Sequence, residues 1–108
     1  MIGMAITIEI GSSNVYADLG YSNAAEMQRK SQLAGEIAKL IKAKLLTQDA
    51  AAKLLGVDLS KISRITRGQF RVISESKLME LVAKLGHDIN IVIGPAKKRA
   101  GTVALEFA

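Results

Sequence analysis

Residues 47–68 read TQDAAAKLLGVDLSKISRITRG, and the order of polar, apolar and small residues within them limits how the chain can be built. Thr47 and Asp58 are each suited to cap a helix N-terminus, because a side-chain oxygen there accepts from amides that no earlier turn satisfies. The spacing predicts two short helices, Gln48 to Leu55 and Leu59 to Arg67, joined by a tight turn. Helices that cross steeply through so short a connection make specific demands. The first must present a small residue where the second comes close, and Ala52 does so. One turn position tends to be left-handed, and Gly56 adopts that conformation without a Cβ clash. Apolar side chains must converge between the helices, and Ala51, Leu55, Val57, Ile62 and Ile65 stand at the required offsets. Outward positions of the second helix must be polar, as Ser60, Lys61, Ser63, Arg64 and Arg67 are. Each feature alone is common. The full set in one window points to a helix-turn-helix rather than a plain hairpin in a bundle.

The flanks extend a helical pattern on both sides. From Ser22 to about Leu46 the stripe Leu33, Ile37, Leu40, Ile41 and Leu45 recurs at helical spacing. Asn23 with Glu26 three residues later resembles a capping box. Lys30, Lys39, Lys42 and Lys44 fall largely off that stripe, and most of them are expected on a solvated outer face. A further helix is predicted from Glu75 to Leu85, capped by Ser74, with the stripe Leu78, Leu81, Val82 and Leu85 and with Gly86 to stop it. The period then changes. Asp88 to Ile93 reads DINIVI, an alternating pattern ended by Gly94 and Pro95, and after the basic connector PAKKRAG residues Thr102 to Phe107 alternate again. Two strands cannot stand alone in water, so they need the helices or a second copy of the chain to cover them. Residues 1–21 read as flexible or as a short edge strand over Ala5 to Ile10, broken by Gly11, Ser12, Ser13 and Asn14. The expected organisation is thus an N-terminal segment 1–21, a helical domain 22–86 and a C-terminal strand segment 87–108. The expected fold class is mainly α, with four or five helices and a C-terminal β-strand or short hairpin.

Composition narrows the function. At 108 residues the chain has room for one small core. Hydrophobic residues make up 49% of it, too many for a disordered chain. Aromatics are 4% and Trp is absent, so the core rests on Leu, Ile, Val, Ala and Met. The absence of Cys excludes disulfides and thiolate metal sites, and His87, the single histidine, cannot hold zinc alone. No metal or cofactor is expected. The N-terminus lacks a basic region ahead of its apolar residues and carries Glu9, which makes it a poor secretory signal. No apolar run approaches the ~20 residues of a membrane span, so the expected location is the cytoplasm. The net charge is +5, and residues 22–46 and 47–71 each carry five cations against two carboxylates. A basic middle invites a polyanion partner, although basic surfaces are also common without one. His87 with Ser12, Ser13, Asp88 or Glu106 makes a triad only on paper, because no nucleophile elbow or phosphate-cradling loop accompanies them. The expectation is a protein that is not an enzyme.

Four passages resemble the Xre-type helix-turn-helix proteins, and among them the HigA-like antitoxins: NVYADLGYSNAAEM, KSQLAGEIAKLIKAKLLTQDAAAKLLGV, LSKISRITRGQFRVIS and KLMELVAKLGHDINIVI. Together they cover about residues 14–93. The resemblance implies a DNA-binding lambda-repressor-like domain whose second motif helix enters the major groove, where each base pair shows a distinct donor and acceptor pattern. It places Leu59, Ser60, Lys61 and Arg64 at base-reading positions. It places Thr47, Gln48, Ser63, Arg67, Gln69 and Arg71 along the phosphate backbone, with Gln48 at the opening of the first motif helix fixing the docking angle. Leu59 departs from the family pattern, which usually has a polar residue there. It is suited either to a thymine methyl or to packing within the protein. The resemblance further implies a homodimer reading a two-fold operator, with half-sites about 34 Å apart. The first candidate for the dimer contact is the strand holding Ile89, Ile91 and Ile93, unless both strands fold back within one subunit. An antitoxin would also repress its own operon and neutralise a RelE/HigB-like toxin, with Asn14 to Met27 as the candidate toxin surface. The rival readings are a stand-alone, phage-like Xre-type regulator without a toxin partner and a protein-interaction module that has lost DNA binding, for which Leu59 is the best support.

Overall fold

Apolar residues three and four apart generate the helices, and the places where a carbonyl or amide loses its helical partner generate the turns. The computed structural model describes residues 23–108, which contain four helices. They are α1 (Ala24–Ala43), α2 (Gln48–Leu55), α3 (Leu59–Thr66) and α4 (Glu75–Lys84). The chain divides into two compact units, one of which is Lys30–Ile89. Of the other, residues 23–29 and 90–108 are described, and within it Arg29 Nη1 donates to the Val103 carbonyl at 3.2 Å. The segment 1–21, with the strand expected over Ala5 to Ile10, lies outside the described residues.

In Lys30–Ile89 the core is aliphatic. Ile37, Leu55, Ile62, Ile65, Leu78 and Leu81 are its largest fully enclosed side chains, and α2 packs against both α3 and α4. Two of the predicted caps form. The Thr47 hydroxyl accepts from the Ala50 amide at 3.0 Å, and the Ser74 hydroxyl from the Lys77 amide at 3.1 Å. Asp58 has the extended backbone of a cap, but its side chain makes no capping bond. Phe70 and Ile73, in the connection between α3 and α4, are buried and pin that connection to the core.

The end of α1 departs from the expected pattern. The Leu46 amide donates to the Ile41 carbonyl at 3.1 Å and the Leu45 amide to the Lys42 carbonyl at 3.0 Å. This is a Schellman closure, which requires a left-handed residue at its reversal point. Leu45 occupies that point with φ 56°. Its side chain, expected on the apolar stripe, is instead 91% exposed, because the chain has left the helical path before reaching it. Lys30 departs in the other direction. It stands three residues after Met27 and three before Leu33, on the buried face of α1, and is itself buried. Its ammonium donates to the Arg71 carbonyl at 3.0 Å.

The described residues contain no strand. The β pattern at Asp88 to Ile93 and at Thr102 to Phe107 therefore lacks the expected hairpin here, and Ile89, Ile91, Val92 and Ile93 lie exposed. Alternation gives a segment two faces but no partner edge, and a strand exists only through the ladder it makes.

Candidate nucleic-acid interface

The turn between α2 and α3 sets the geometry of the site. Gly56 stands at the end of α2 with φ 68°, and its amide closes on the Ala52 carbonyl. Lys84, from α4, donates to the Leu55 carbonyl at 3.0 Å, placing a cation at the negative end of α2. The same lysine lies 3.3 Å from Glu80, and Lys77 lies 3.4 Å from that carboxylate. The hydrogen bond from Lys77, and then that from Lys84, hold the Glu80 carboxyl below its ordinary range. With this turn held, α2 and α3 converge on Ala51, Ala52, Leu55, Ile62 and Ile65, all of them buried as the sequence predicts, while Val57 is half-buried and Gly56 exposed.

Burying Ile62 and Ile65 decides which face of α3 is turned outward. At 3.6 residues per turn, Ser60, Ser63, Arg64 and Arg67 fall opposite the two isoleucines, and Lys61 and Leu59 fall on the flanks. Ser60, Arg64 and Arg67 are exposed, and Lys61 and Ser63 are half-buried. Leu59 is 46% exposed and so is not a core residue, which leaves its methyl groups at the surface. Neither the Lys61 nor the Arg64 side chain has a hydrogen-bond or ion-pair partner among the described residues, whereas Arg67 folds back to donate from Nε to the Ser63 carbonyl at 3.3 Å.

The residues expected on the phosphate backbone surround this face in sequence. Thr47 and Gln48 open α2, and both are exposed. The Gln48 amide is bonded within the protein, Nε2 donating to Thr66 Oγ1 at 3.1 Å. Gln69 and Arg71 are exposed in the connection after α3, where the Gln69 amide donates to the Arg64 carbonyl at 2.7 Å and Lys30 holds the Arg71 carbonyl. Sequence reasoning missed three of these supports. The burial of Lys30 follows from its place on the buried ladder of α1, but its partner, 41 residues away, does not. Thr66 and Lys84 carried no local signal, since their partners lie 18 and 29 residues away. His87 is joined to Glu36 at 2.8 Å, its Nε2 against the carboxylate, rather than to Asp88 or Glu106, and Ser12 and Ser13 lie outside the described residues. No group of acidic, His or Cys side chains among the described residues is arranged to hold a metal, and none of the described helices is long and apolar enough to cross a membrane.

Comparison with known proteins agrees with this geometry. No curated protein matches the chain. A solved structure described as an XRE-family transcriptional regulator superposes with a TM-score of 0.68 at 29% identity, covering 80% of this chain and 97% of that one. A family model described as a helix-turn-helix domain matches residues 15–94. With the match running through all four helices and the turn at Gly56, the chain belongs to the helix-turn-helix domain family.

Proposed function

We propose that this protein is a sequence-specific regulator of transcription that reads double-stranded DNA with α3. The observation that carries the reading is the outer face of α3, where Arg64 projects without a carboxylate partner from a helix whose opposite face is locked in the core. Leu59, Ser60, Lys61 and Arg64 are its base-reading residues. Arg64 is suited to a bidentate bond with a guanine, and Leu59 to a thymine methyl. Thr47, Gln48, Ser63, Arg67, Gln69 and Arg71 bind phosphates, which set register and affinity without reading sequence. A module this small reads few base pairs, so two copies act together on a two-fold operator. The exposed apolar residues Ile89, Ile91 and Ile93 supply the contact between them.

Binding to the protein's own promoter and to random DNA, followed by fluorescence anisotropy, tests the reading. Arg64→Ala is expected to lose about 1–3 kcal/mol on the promoter and much less on random DNA. Equal losses would reduce Arg64 to a phosphate contact. Affinity is expected to fall steeply with salt as condensed counterions are released, and a salt-independent complex would exclude this mechanism.

Within this function the finer assignment is the HigA-like antitoxin, a repressor of its own operon that also neutralises a RelE/HigB-like toxin. Its support is the likeness in the flanks of the motif, NVYADLGYSNAAEM and KLMELVAKLGHDINIVI. Most of the suggested toxin surface, Asn14 to Met27, lies outside the described residues. Co-expression with the product of the adjacent gene is expected to give a stable complex. If the two do not co-purify, the protein is a stand-alone regulator.

A further inference from the structure

Gln48 stands at the first position of α2, and its amide is engaged before any ligand arrives. Nε2 donates to Thr66 Oγ1 at 3.1 Å, and the Thr66 hydroxyl donates in turn to the Ser63 carbonyl at 3.1 Å. The polarity of this relay follows from its parts. A hydroxyl has one hydrogen, and that hydrogen is committed to a carbonyl. Thr66 is therefore an acceptor toward Gln48, and the glutamine must present its nitrogen and not its oxygen. One N–H of the Gln48 amide remains for a group outside the protein. The hold on Gln48 thus comes from the last turn of α3.

We infer that Thr66 is a positioning residue for DNA docking: it fixes the Gln48 amide so that the remaining N–H meets a phosphate oxygen, and it ties the start of α2 to the end of the reading helix. The inference rests on the assignment of α3 as the DNA-reading helix and deepens it. Thr66 acts through Gln48 and touches no DNA. A free glutamine has three rotatable bonds to order on binding. The relay orders them in the unbound protein, so the entropy is not lost again when DNA arrives. Ordering one rotamer-rich side chain corresponds to roughly a three- to tenfold change in affinity.

The test is a double-mutant cycle on the promoter fragment, with Thr66→Val, Gln48→Ala and the pair, each checked for folding by circular dichroism. Thr66→Val keeps the shape and removes the hydroxyl. It is expected to weaken binding roughly three- to tenfold. Thr66→Ser, which keeps the hydroxyl, is expected to bind like the parent, and in the Gln48→Ala background Thr66→Val is expected to have no further effect. A threonine that merely supported α3 would instead show its full loss in both backgrounds, and that result overturns the inference, as does undiminished binding by Thr66→Val. Thr66→Ala replaces the valine variant if the latter does not fold. A parent protein that does not prefer its promoter over random DNA refutes the DNA reading itself, independently of how the variants rank.

Discussion

The reversal at the end of α1 offers a stabilising substitution whose size follows from the structure. The same closure ends α3 and α4, where the residues at the reversal point are Gly68 at φ 77° and Gly86 at φ 116°. At the end of α1 it is Leu45, at φ 56°. A left-handed conformation costs an L-residue roughly 1–2 kcal/mol. Glycine removes that cost but loses more entropy on folding, by about 0.4–1 kcal/mol. Burial hardly enters. The Leu45 side chain is 91% exposed, so of the roughly 1.5–3 kcal/mol available from burying a leucine less than about 0.3 is at stake. Leu45→Gly is therefore expected to stabilise the protein by about 0.8 kcal/mol at the middle of these ranges, which raises Tm by roughly 3–6 °C in a unit of this size. Thermal melts followed at 222 nm, with urea titrations at 25 °C, measure it. Leu45→Asn serves as a control, since asparagine tolerates the left-handed region while keeping a side chain. If both variants melt at or below the parent temperature, strain at Leu45 is not what the backbone angle implies, and its methyl groups are covering apolar surface in the folded or assembled protein.

Two further outcomes follow from the core and from the charges around the turn. Ile62→Ala empties a fully buried site between α2 and α3 and is expected to cost about 2–5 kcal/mol, read as a lower urea midpoint at unchanged slope. A smaller loss would mean that the helices collapse onto the gap. The carboxyl of Glu80 is held below its ordinary range, so the folded state binds its proton less readily than the unfolded chain does. The stability this contributes is present above the unfolded value and is lost as pH falls through the lower, folded one. Glu80→Gln should flatten the acid side of the stability profile, and an unchanged profile would show that Lys77 and Lys84 leave the carboxyl unperturbed in solution.

Much of the motif was legible because its constraints are local. A hydroxyl one residue before a helix, as at Thr47 and Ser74, caps through a bond three residues long, and α2 begins and ends where the sequence places it. The inward pair Ile62 and Ile65 and the outward Arg64 follow from helical periodicity alone. The errors lie where a residue's environment depends on distant chain. Lys30, read as off the apolar stripe, is buried under a carbonyl 41 residues away. Leu45, assigned to the apolar stripe, is turned outward by the helix closure.

Spacing and capping act over three or four residues, so the order of the amino acids is enough to specify that two short amphipathic helices meet at a glycine turn and which side of the second one is cationic. What holds that arrangement in place emerges only once the helices have packed: Lys84 on the end of α2, Lys30 under the connection after α3, and Thr66 on Gln48. Those bonds join groups that are far apart along the chain, and a polar side chain seen in sequence carries no mark of which distant carbonyl or hydroxyl will satisfy it once the aliphatic core has brought the helices together.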